Sequence, residues 1–516
     1  MSFNRTDALT RLDQHEGLVD IVVIGGGATG ASVALDGAAR GLKVALLEQH
    51  DFGKGTSSRS TKLIHGGVRY LAQGNITLVR DALHERTRLR KNAPHVVHEM
   101  SFIVPCASKL QQWWYNFGFK VYDGLSGNSG FRKSRSISKA TCLELVPTLQ
   151  STQAVGGVLY SDGQFDDARL LLNMLQTAAE HSAAVVNYAR VEKLNKNEAG
   201  KINEVVFRDL ESGAEHKIRT RCVINATGPF CDSVRKLDDV HGEPMLSASQ
   251  GVHIVLDQSF LPGETAVIVP KTSDGRVIFM IPWHGHVLVG TTDTPIETAE
   301  LEPHAQQQEI DFLLTTAGQY LTKQPTKSDI LSVFTGIRPL VRKGQGTSTS
   351  KLSRDHVIVV SDSGMVTITG GKWTTARRMG EDCVNRAIKV AGLRSSPCAT
   401  VDLRLHGAGG EVNSLYGTDA AKIEQLAMDE SELAKPLVAG YLLRGAEVIW
   451  AVRHEMARNV EDILARRSRL LFLNVGAAET AAHEVARLMA RELGRDNNWQ
   501  VAQVSEFKQL AGFFRC

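Results

Sequence analysis

The side chains with the most informative chemistry lie in three separate segments of the chain. Residues 55–70 are rich in glycine and hydroxyl side chains and contain the donors Lys62, His65, Arg69 and Tyr70. Far downstream, Arg338 precedes a proline and Lys372 follows two glycines. A histidine can accept a proton near neutral pH, and converging cations select anions. We therefore expect proton transfer on a small anionic substrate, for which phosphate is the natural candidate.

A nucleotide site is predicted upstream of these donors. An apolar strand at residues 20–24 leads into Gly25, Gly27 and Gly30, and a helical pattern follows. The three glycines permit a tight turn, a close approach of the backbone to phosphates and close packing of the helix. The helix N-terminus then faces the pyrophosphate. The next apolar strand ends in Glu48, which suits a ribose 2′-hydroxyl and argues against NADP.

Further pieces of the pattern indicate that this dinucleotide is FAD. The strand at 221–228 ends in Ala226, Thr227 and Gly228, a pattern typical of two-dinucleotide-type flavoproteins, where the glycine lets the chain turn beneath the cofactor. Strand-like runs at 355–360 and 365–372 contain Gly370 and Gly371 and enter a helical stretch at 374–390. Small side chains after Glu48 can bring the backbone close to the flavin, and we expect Thr56, Ser57, Ser58 and Lys62 to contribute there.

Composition sets broad limits on the protein. The 516 residues exceed the usual size of one core, so two or three domains are expected. The net charge of +3 gives no general attraction to nucleic acid. Seven scattered cysteines fit neither a disulfide scaffold nor a metal site and favour a reducing compartment. Neither a signal peptide nor a membrane-spanning segment is predicted.

The fold class expected is α/β, or α+β overall, in three domains. A Rossmann-like FAD-binding domain is predicted from residues 18–100, 181–244 and 334–395. Residues 101–180 and 245–333 contain short β-like runs such as 267–270 and 287–290, and predict an inserted substrate domain built on an antiparallel sheet. Helical patterns at 419–434, 444–467 and 476–493 predict a C-terminal helical domain over residues 400–516.

Several ordered blocks together resemble one known family. They are the glycine fingerprint and residues 56–71, 166–169, 225–229, 281–283, 290–293, 336–339 and 371–372. On these blocks the chain resembles the FAD-dependent glycerol-3-phosphate dehydrogenases from about residue 18 to 390, and more weakly at 462–470. The resemblance implies oxidation of sn-glycerol 3-phosphate to dihydroxyacetone phosphate. FAD would take the hydride from C2, and a membrane quinone would receive the electrons.

Specific roles follow for the candidate side chains. We expect His65 to be the base and Arg338 to face the C2 oxygen, because carbinol oxidation needs a proton acceptor and a cation at the developing alkoxide. His253 is a rival base. The expected phosphate-side residues are Arg69, Tyr70, Lys372 and Thr374. Which cation holds the phosphate is left open.

Other functions remain as alternatives at this point. A glycerol-phosphate oxidase would pass electrons to oxygen, although such relatives typically carry an inserted segment for which this chain is too short. Another FAD-dependent oxidoreductase of a small anion, a soluble NAD dehydrogenase and a catalytically silent flavoprotein are further alternatives. No metal is expected, and a homodimer is left open.

Peripheral attachment to the cytoplasmic face of the inner membrane is also expected. The aromatic-rich residues 109–122 suit either an interfacial anchor or burial under a neighbouring domain. The basic residues 466–469 suit either anionic lipid or a solvated patch.

Overall fold

The computed structural model describes residues 3–14, 18–71, 74–127, 131–270, 272, 275–342, 356–410 and 414–516, with the side chains of 14, 69 and 70 outside the description. Its first sheet carries the glycine fingerprint. The strands of this sheet are β1 (Leu18–Ile24), β2 (Val44–Leu47), β7 (Ala184–Val186), β8 (Ala189–Lys196), β9 (Ile202–Asp209), β10 (Glu215–Asn225), β17 (His356–Val360) and β18 (Val366–Gly370). The spatial order is β17-β18-β10-β1-β2-β7, and β9 joins β8 to β10.

The centre of the first sheet is parallel, and both of its faces are buried. β1 pairs in parallel with β2 and β10, and β10 pairs in parallel with β18. Ile21 and Val23 pack into one hydrophobic cluster, while Val22 and Ile24 pack into another on the opposite face. A strand buried on both faces reads as a continuous apolar run, which explains the pattern at residues 20–24.

The second sheet is mostly antiparallel and forms the other half of the molecule. Its strands are β3 (Leu63–Ile64), β4 (Val97–Cys106), β5 (Arg135–Ser138), β6 (Gly156–Phe165), β11 (Leu246–Asp257), β12 (Thr265–Val269), β13 (Ile278–Trp283), β14 (His286–Gly290), β15 (Thr294–Ile296) and β16 (Ile330–Val341). The order is β15-β11-β14-β13-β12-β4-β6-β3, with β16 paired to β11 and β5 to β6. The runs expected at 267–270 and 287–290 are thus confirmed as parts of β12 and β14.

Helices cover the sheets and form the C-terminal region. Before residue 400 they are α1 (Arg5–Gln14), α2 (Ala28–Ala39), α3 (Val68–Leu71), α4 (Ile76–Asn92), α5 (Lys109–Ser126), α6 (Lys139–Leu145), α7 (Asp167–Glu180), α8 (Cys231–Asp238), α9 (Gln307–Tyr320) and α10 (Ala376–Ala391). After it they are α11 (Ala420–Asp429), α12 (Gly445–His454), a π-helix (Asp462–Arg467), α13 (Leu470–Leu473), α14 (Val475–Leu493) and α15 (Asn497–Ala511). In the described part of the chain, none of the helices is long and apolar enough to cross a membrane.

Strand pairing shifts the segment bounds expected from sequence. β16 pairs along its length with β11, so residues 334–341 belong to the second sheet and not to the dinucleotide-binding part. β3 also joins the second sheet, through β6. Conversely, α7 packs with α2 in the core of the first sheet, so residues 167–180 lie with the dinucleotide-binding part. Local pattern could not reveal these long-range partners.

Residues with a positive φ interrupt two stretches of the chain. β7 and β8 are separated by Tyr188, whose φ of 52° breaks the extended backbone. The helix expected at 444–467 ends at His454, and Met456 has a φ of 54° before the π-helix begins. Position 355, expected to begin a strand, lies outside the described residues.

The basic residues 466–469 are buried, so their expected exposure to lipid or solvent is wrong. Arg466 and Arg467 both donate to the Asp51 carboxylate, at 2.5 and 2.6 Å. Arg469 donates to Asp167 at 3.0 Å and to the Ser58 carbonyl at 2.8 Å. Charges so deeply buried need partners, and the partners tie the C-terminal region to the segment that follows β2.

Candidate active site

A cavity of about 550 Å³ lies between the two sheets. It opens at the carboxyl ends of β1, β2 and β10, where doubly wound folds bind ligands. Of the predicted site residues, those lining it are Gly25, Gly27, Glu48, Thr56, Ser57, His65, Ala226, Thr227, Gly228, His253, Arg338, Gly370, Gly371, Lys372 and Thr374. Residues from separate parts of the chain therefore meet in one place.

The glycine fingerprint forms a backbone cradle that larger residues would fill. Gly25 has a φ of 105°, and a Cβ there would lie 2.8 Å from the Ala226 carbonyl. A Cβ at Gly27 would lie 2.9 Å from the Ser57 hydroxyl. Gly30 lies away from the cavity and lets α2 pack against the backbone of Gly25. These close approaches fit a pyrophosphate bound at the start of α2.

Glu48 is positioned by the backbone at the end of β2. Its carboxylate accepts hydrogen bonds from the backbone N–H groups of Gly26, at 2.6 Å, and His50, at 2.8 Å. Burial raises the pKa of Glu48, and these two hydrogen bonds oppose the rise. A carboxylate has about four acceptor sites, so two remain for ribose hydroxyls. These remaining acceptor positions fit the ribose of the adenosine part of FAD.

The segment after Glu48 divides into cavity-facing and buried residues. The Thr56 hydroxyl donates to the Ile337 carbonyl at 2.6 Å, which fastens the segment to β16. The Ser57 hydroxyl accepts from Ala28 N–H at 2.9 Å, at the start of α2. Ser58 is buried and is not among the described residues that line the cavity. Instead of the expected contact with the cofactor, Ser58 has a structural role, since its carbonyl accepts hydrogen bonds from Lys62 and Arg469.

Lys62 also departs from the expectation that it binds the cofactor. Its ammonium group is fully buried, donates to Asp167 Oδ2 at 2.7 Å and to the Ser58 carbonyl at 2.6 Å, and packs against aromatic rings. Burial and the neighbouring Arg469 lower the pKa of Lys62, Asp167 opposes the fall, and the resulting pKa is about 7. The cation thus holds its own segment together instead of facing the ligand.

The two later glycine segments close the cavity. The Asn225 side chain accepts from Thr227 N–H at 3.3 Å and from the Thr227 hydroxyl at 2.7 Å, which fixes the turn through Gly228 at a φ of 55°. Gly370 and Gly371 have φ values of 80° and 72°, which glycine adopts readily. A Cβ at Gly371 would collide with the Met379 side chain.

His65 lies on the cavity wall and is held through its backbone by Thr374. The His65 N–H donates to the Thr374 hydroxyl at 3.2 Å, and that hydroxyl lies 3.3 Å from the His65 carbonyl. The Thr374 side chain is buried. Thr374 therefore lines the cavity and also positions His65 through its backbone.

His253 lies deeper than His65. Its Nε2 is 3.0 Å from the Thr61 hydroxyl, and its ring stacks on Phe334 with the centroids 4.8 Å apart. Nδ1 is buried and finds no hydrogen-bond partner among the described residues. Burial lowers the pKa of His253 well below its usual value, and the charges of Lys62 and Arg338 lower it further. The ring is therefore neutral at physiological pH.

Arg338 is held rigidly by the end of β14 and the residues that follow it. Its guanidinium donates to Asp293 Oδ1 at 3.1 Å, to the Thr292 carbonyl at 2.8 Å and to the Thr291 hydroxyl at 3.1 Å. A Cβ at Gly251 would occupy the space of this guanidinium. The charge is thus fixed in place and partly balanced by Asp293. Lys372 lines the same cavity. The predicted phosphate ligands Arg69 and Tyr70 have side chains outside the described residues.

Known proteins with similar sequences clarify the nature of this site. Residues 20–377 match the FAD dependent oxidoreductase family, and residues 398–500 match the C-terminal domain of alpha-glycerophosphate oxidase. The mitochondrial glycerol-3-phosphate dehydrogenase of Rattus norvegicus is 40% identical over 97% of this chain and 74% of its own length. This chain belongs to the FAD-dependent glycerol-3-phosphate dehydrogenase family. Its Arabidopsis thaliana relative, also mitochondrial, is 40% identical over 96% of this chain and 86% of its own length.

Solved structures agree with membership of the glycerol-3-phosphate dehydrogenase family. The enzyme of that name from Bacillus halodurans, complexed with FAD, superposes with a TM-score of 0.79 at 29% identity over 99% of this chain and 97% of its own. The L-alpha-glycerophosphate oxidase of Mycoplasma pneumoniae shares the fold, with a TM-score of 0.56 at 18% identity over 74% of this chain and 98% of its own. The FAD cofactor, the Rossmann-like domain and the C-terminal helical domain expected from sequence are confirmed.

Some residues that build the site of this family member had no clear local signal. Thr61, Asp167 and Asp293 contact His253, Lys62 and Arg338 respectively, yet each is an ordinary polar residue in sequence. The Trp373 indole donates to the Ser57 carbonyl at 2.9 Å and joins two cavity segments. The blocks 56–71, 166–169 and 290–293 contain these three polar residues, and are the sequence feature that could have pointed to them. Which partner each residue contacts depends on the tertiary fold.

Proposed function

We propose that this protein oxidises sn-glycerol 3-phosphate at C2 to dihydroxyacetone phosphate and delivers the electrons to a membrane quinone. The observation that carries the proposal is the placement of His65, Arg338 and Lys372 on the cavity that the dinucleotide cradle also lines. FAD, when bound, supplies the hydride acceptor. The relatives named above are glycerol-3-phosphate dehydrogenases, which supports the same substrate.

Each candidate side chain has a separate role in the proposed reaction. We assign His65 as the base for the C2 hydroxyl proton, because a histidine can accept a proton near neutral pH. Arg338 stabilises the oxygen as negative charge develops on it, and its fixed hydrogen bonds mean that little reorganisation is needed. Lys372, together with Arg69 and Tyr70, is assigned to the phosphate group. Binding of the phosphate positions C2 of the substrate for hydride transfer to the flavin.

Glycerol 3-phosphate is expected to bleach the flavin of the purified protein under anaerobic conditions. An added quinone analogue should then restore the absorbance, whereas glycerol, which lacks the phosphate, should bleach it far more slowly. The measurement is the flavin absorbance near 450 nm in stopped flow. Equal rates with glycerol and its phosphate would refute the anion site, and fast stoichiometric peroxide formation in air would favour an oxidase.

A membrane surface for the proposed quinone partner is suggested by α5. Leu110, Trp113, Trp114 and Phe117 are 76%, 62%, 62% and 53% exposed. Residues 109–122 were expected either to anchor the protein at an interface or to be buried. Burial applies to Phe119 and Tyr122 on the other face of α5, but not to these four residues. Amphipathic helices with exposed aromatic side chains bind bilayer interfaces. We propose that α5 is the peripheral docking helix.

Replacing Trp113, Trp114 and Phe117 together by serine is expected to release the protein from anionic vesicles. Each buried aromatic contributes at about 25 cal/mol per Å² of apolar surface, so losing three removes several kcal/mol of binding free energy. Vesicle sedimentation measures the effect, and turnover with a soluble dye should be unchanged. Leu442→Ser, at a residue 94% exposed in the C-terminal region, is the matched control. Unchanged sedimentation of the triple variant would contradict the assignment.

A further inference from the structure

The buried face of α5 reaches the segment that carries His65. The Tyr122 hydroxyl accepts a hydrogen bond from the Gly66 N–H at 2.9 Å and donates one to Asp162 Oδ2 at 2.7 Å. Gly66 directly follows His65 and precedes α3, which begins at Val68. The hydroxyl therefore holds the backbone beside the proposed base, although the tyrosine lies 56 residues further along the chain and is not among the described residues that line the cavity.

The fit between this hydroxyl and the segment is close. A Cβ at Gly66 would lie 2.6 Å from both the Tyr122 oxygen and a Leu83 methyl group. A larger residue at Gly66 would therefore push the segment away from α5. The absence of a side chain lets the Gly66 backbone approach the tyrosine closely enough to donate. The second glycine in the His-Gly-Gly sequence has a φ of 75°, which turns the chain into α3.

The tyrosine itself is anchored from several directions. Asp162 is paired with Arg86 at 2.8 Å, and Arg86 also donates to the Ser126 hydroxyl near the end of α5. The Gln112 side chain donates to the carbonyls of Ile137 and Gly157 at 2.8 and 2.9 Å, which fixes the register of the helix. Burial raises the pKa of Tyr122 well above its usual value, and Asp162 raises it further, so the hydroxyl keeps its proton.

We propose that Tyr122 is a positioning residue for catalysis, which fixes the backbone between His65 and α3 so that the base is held toward the cavity. The inference rests on the proposed function and extends it to a residue outside the cavity. A loop segment with one fewer anchor samples more conformations, so the base spends less time in its productive position. The loss should appear in the chemical step and not in the binding of FAD.

Tyr122→Phe is the direct test, because it removes the hydroxyl and keeps the ring. With the FAD-loaded variant, the rate of flavin reduction by glycerol 3-phosphate is expected to fall about tenfold, consistent with the loss of a buried hydrogen bond. Reoxidation by a soluble dye and the flavin content should match those of the original protein. Tyr160→Phe is the matched control, because Tyr160 stacks in the same aromatic cluster while the Gly66 amide bonds to Tyr122.

Three outcomes would overturn the inference. They are an unchanged reduction rate in Tyr122→Phe, an equal loss in Tyr160→Phe, and loss of flavin or a lowered unfolding temperature that accounts for the slower reduction. The last would show a purely structural role. Failure of the proposed function is distinguishable, because the original protein would then not be reduced by glycerol 3-phosphate at all.

Discussion

Replacing Arg338 by alanine is expected to slow flavin reduction by glycerol 3-phosphate at least a hundredfold while the flavin content stays normal. Removing a fixed donor from a developing oxyanion costs about 3 kcal/mol. The same change also removes the cation that balances the Asp293 carboxylate, which adds to the loss. The rate of anaerobic bleaching at saturating substrate measures the effect on the chemical step.

Two variants separate the charge of Arg338 from its shape. Arg338→Lys keeps the charge but loses the fork that contacts Asp293 and Thr292, so we expect an intermediate rate. Arg342→Ala is the control, because it removes one positive charge directly after β16. Arg342 is not among the described residues that line the cavity, so the rate of flavin reduction should stay unchanged. Equal losses in both alanine variants would mean that only the overall charge matters.

Replacing His65 by asparagine is expected to lower the rate of flavin reduction about a thousandfold, because a positioned base contributes about 10²–10⁴ to proton transfer. The rate should also rise with pH in the variant, since hydroxide or a partly ionised substrate must take over. The profile of kcat/KM against pH measures both effects. Thr374, which bonds to the His65 backbone, is unchanged in this variant, so the segment should keep its position.

His253→Asn is the companion variant, because it tests the rival base. The Nε2 atom of His253 is engaged by Thr61 and its Nδ1 atom is buried, so we expect a loss of less than tenfold from altered packing. The already low pKa of His253 means that its loss should not move the acidic limb of the pH profile near neutrality. A larger loss in His253→Asn than in His65→Asn would assign the base to His253.

The predictions from sequence succeeded where one local feature determines the structure. Gly25, Gly27 and Gly30 after an apolar strand specify one turn. Glu48 directly follows β2, as the apolar run before it predicts. Predictions about single charged residues were less reliable. Lys62 lies four residues after Ser58 in a loop that also contains cavity-lining residues, yet its side chain turns into the core toward Asp167. Nothing local distinguishes a cation that faces a ligand from one that faces a buried carboxylate.

The sequence by itself determined the dinucleotide fold and the FAD cofactor. These follow from short patterns whose geometry is set by neighbouring residues. Only the tertiary structure decided which side chains reach the cavity, because that depends on contacts between residues far apart in the chain. Arg466 and Arg467 show this most clearly, since a basic run that suits a surface is buried against Asp51, more than 400 residues away in sequence.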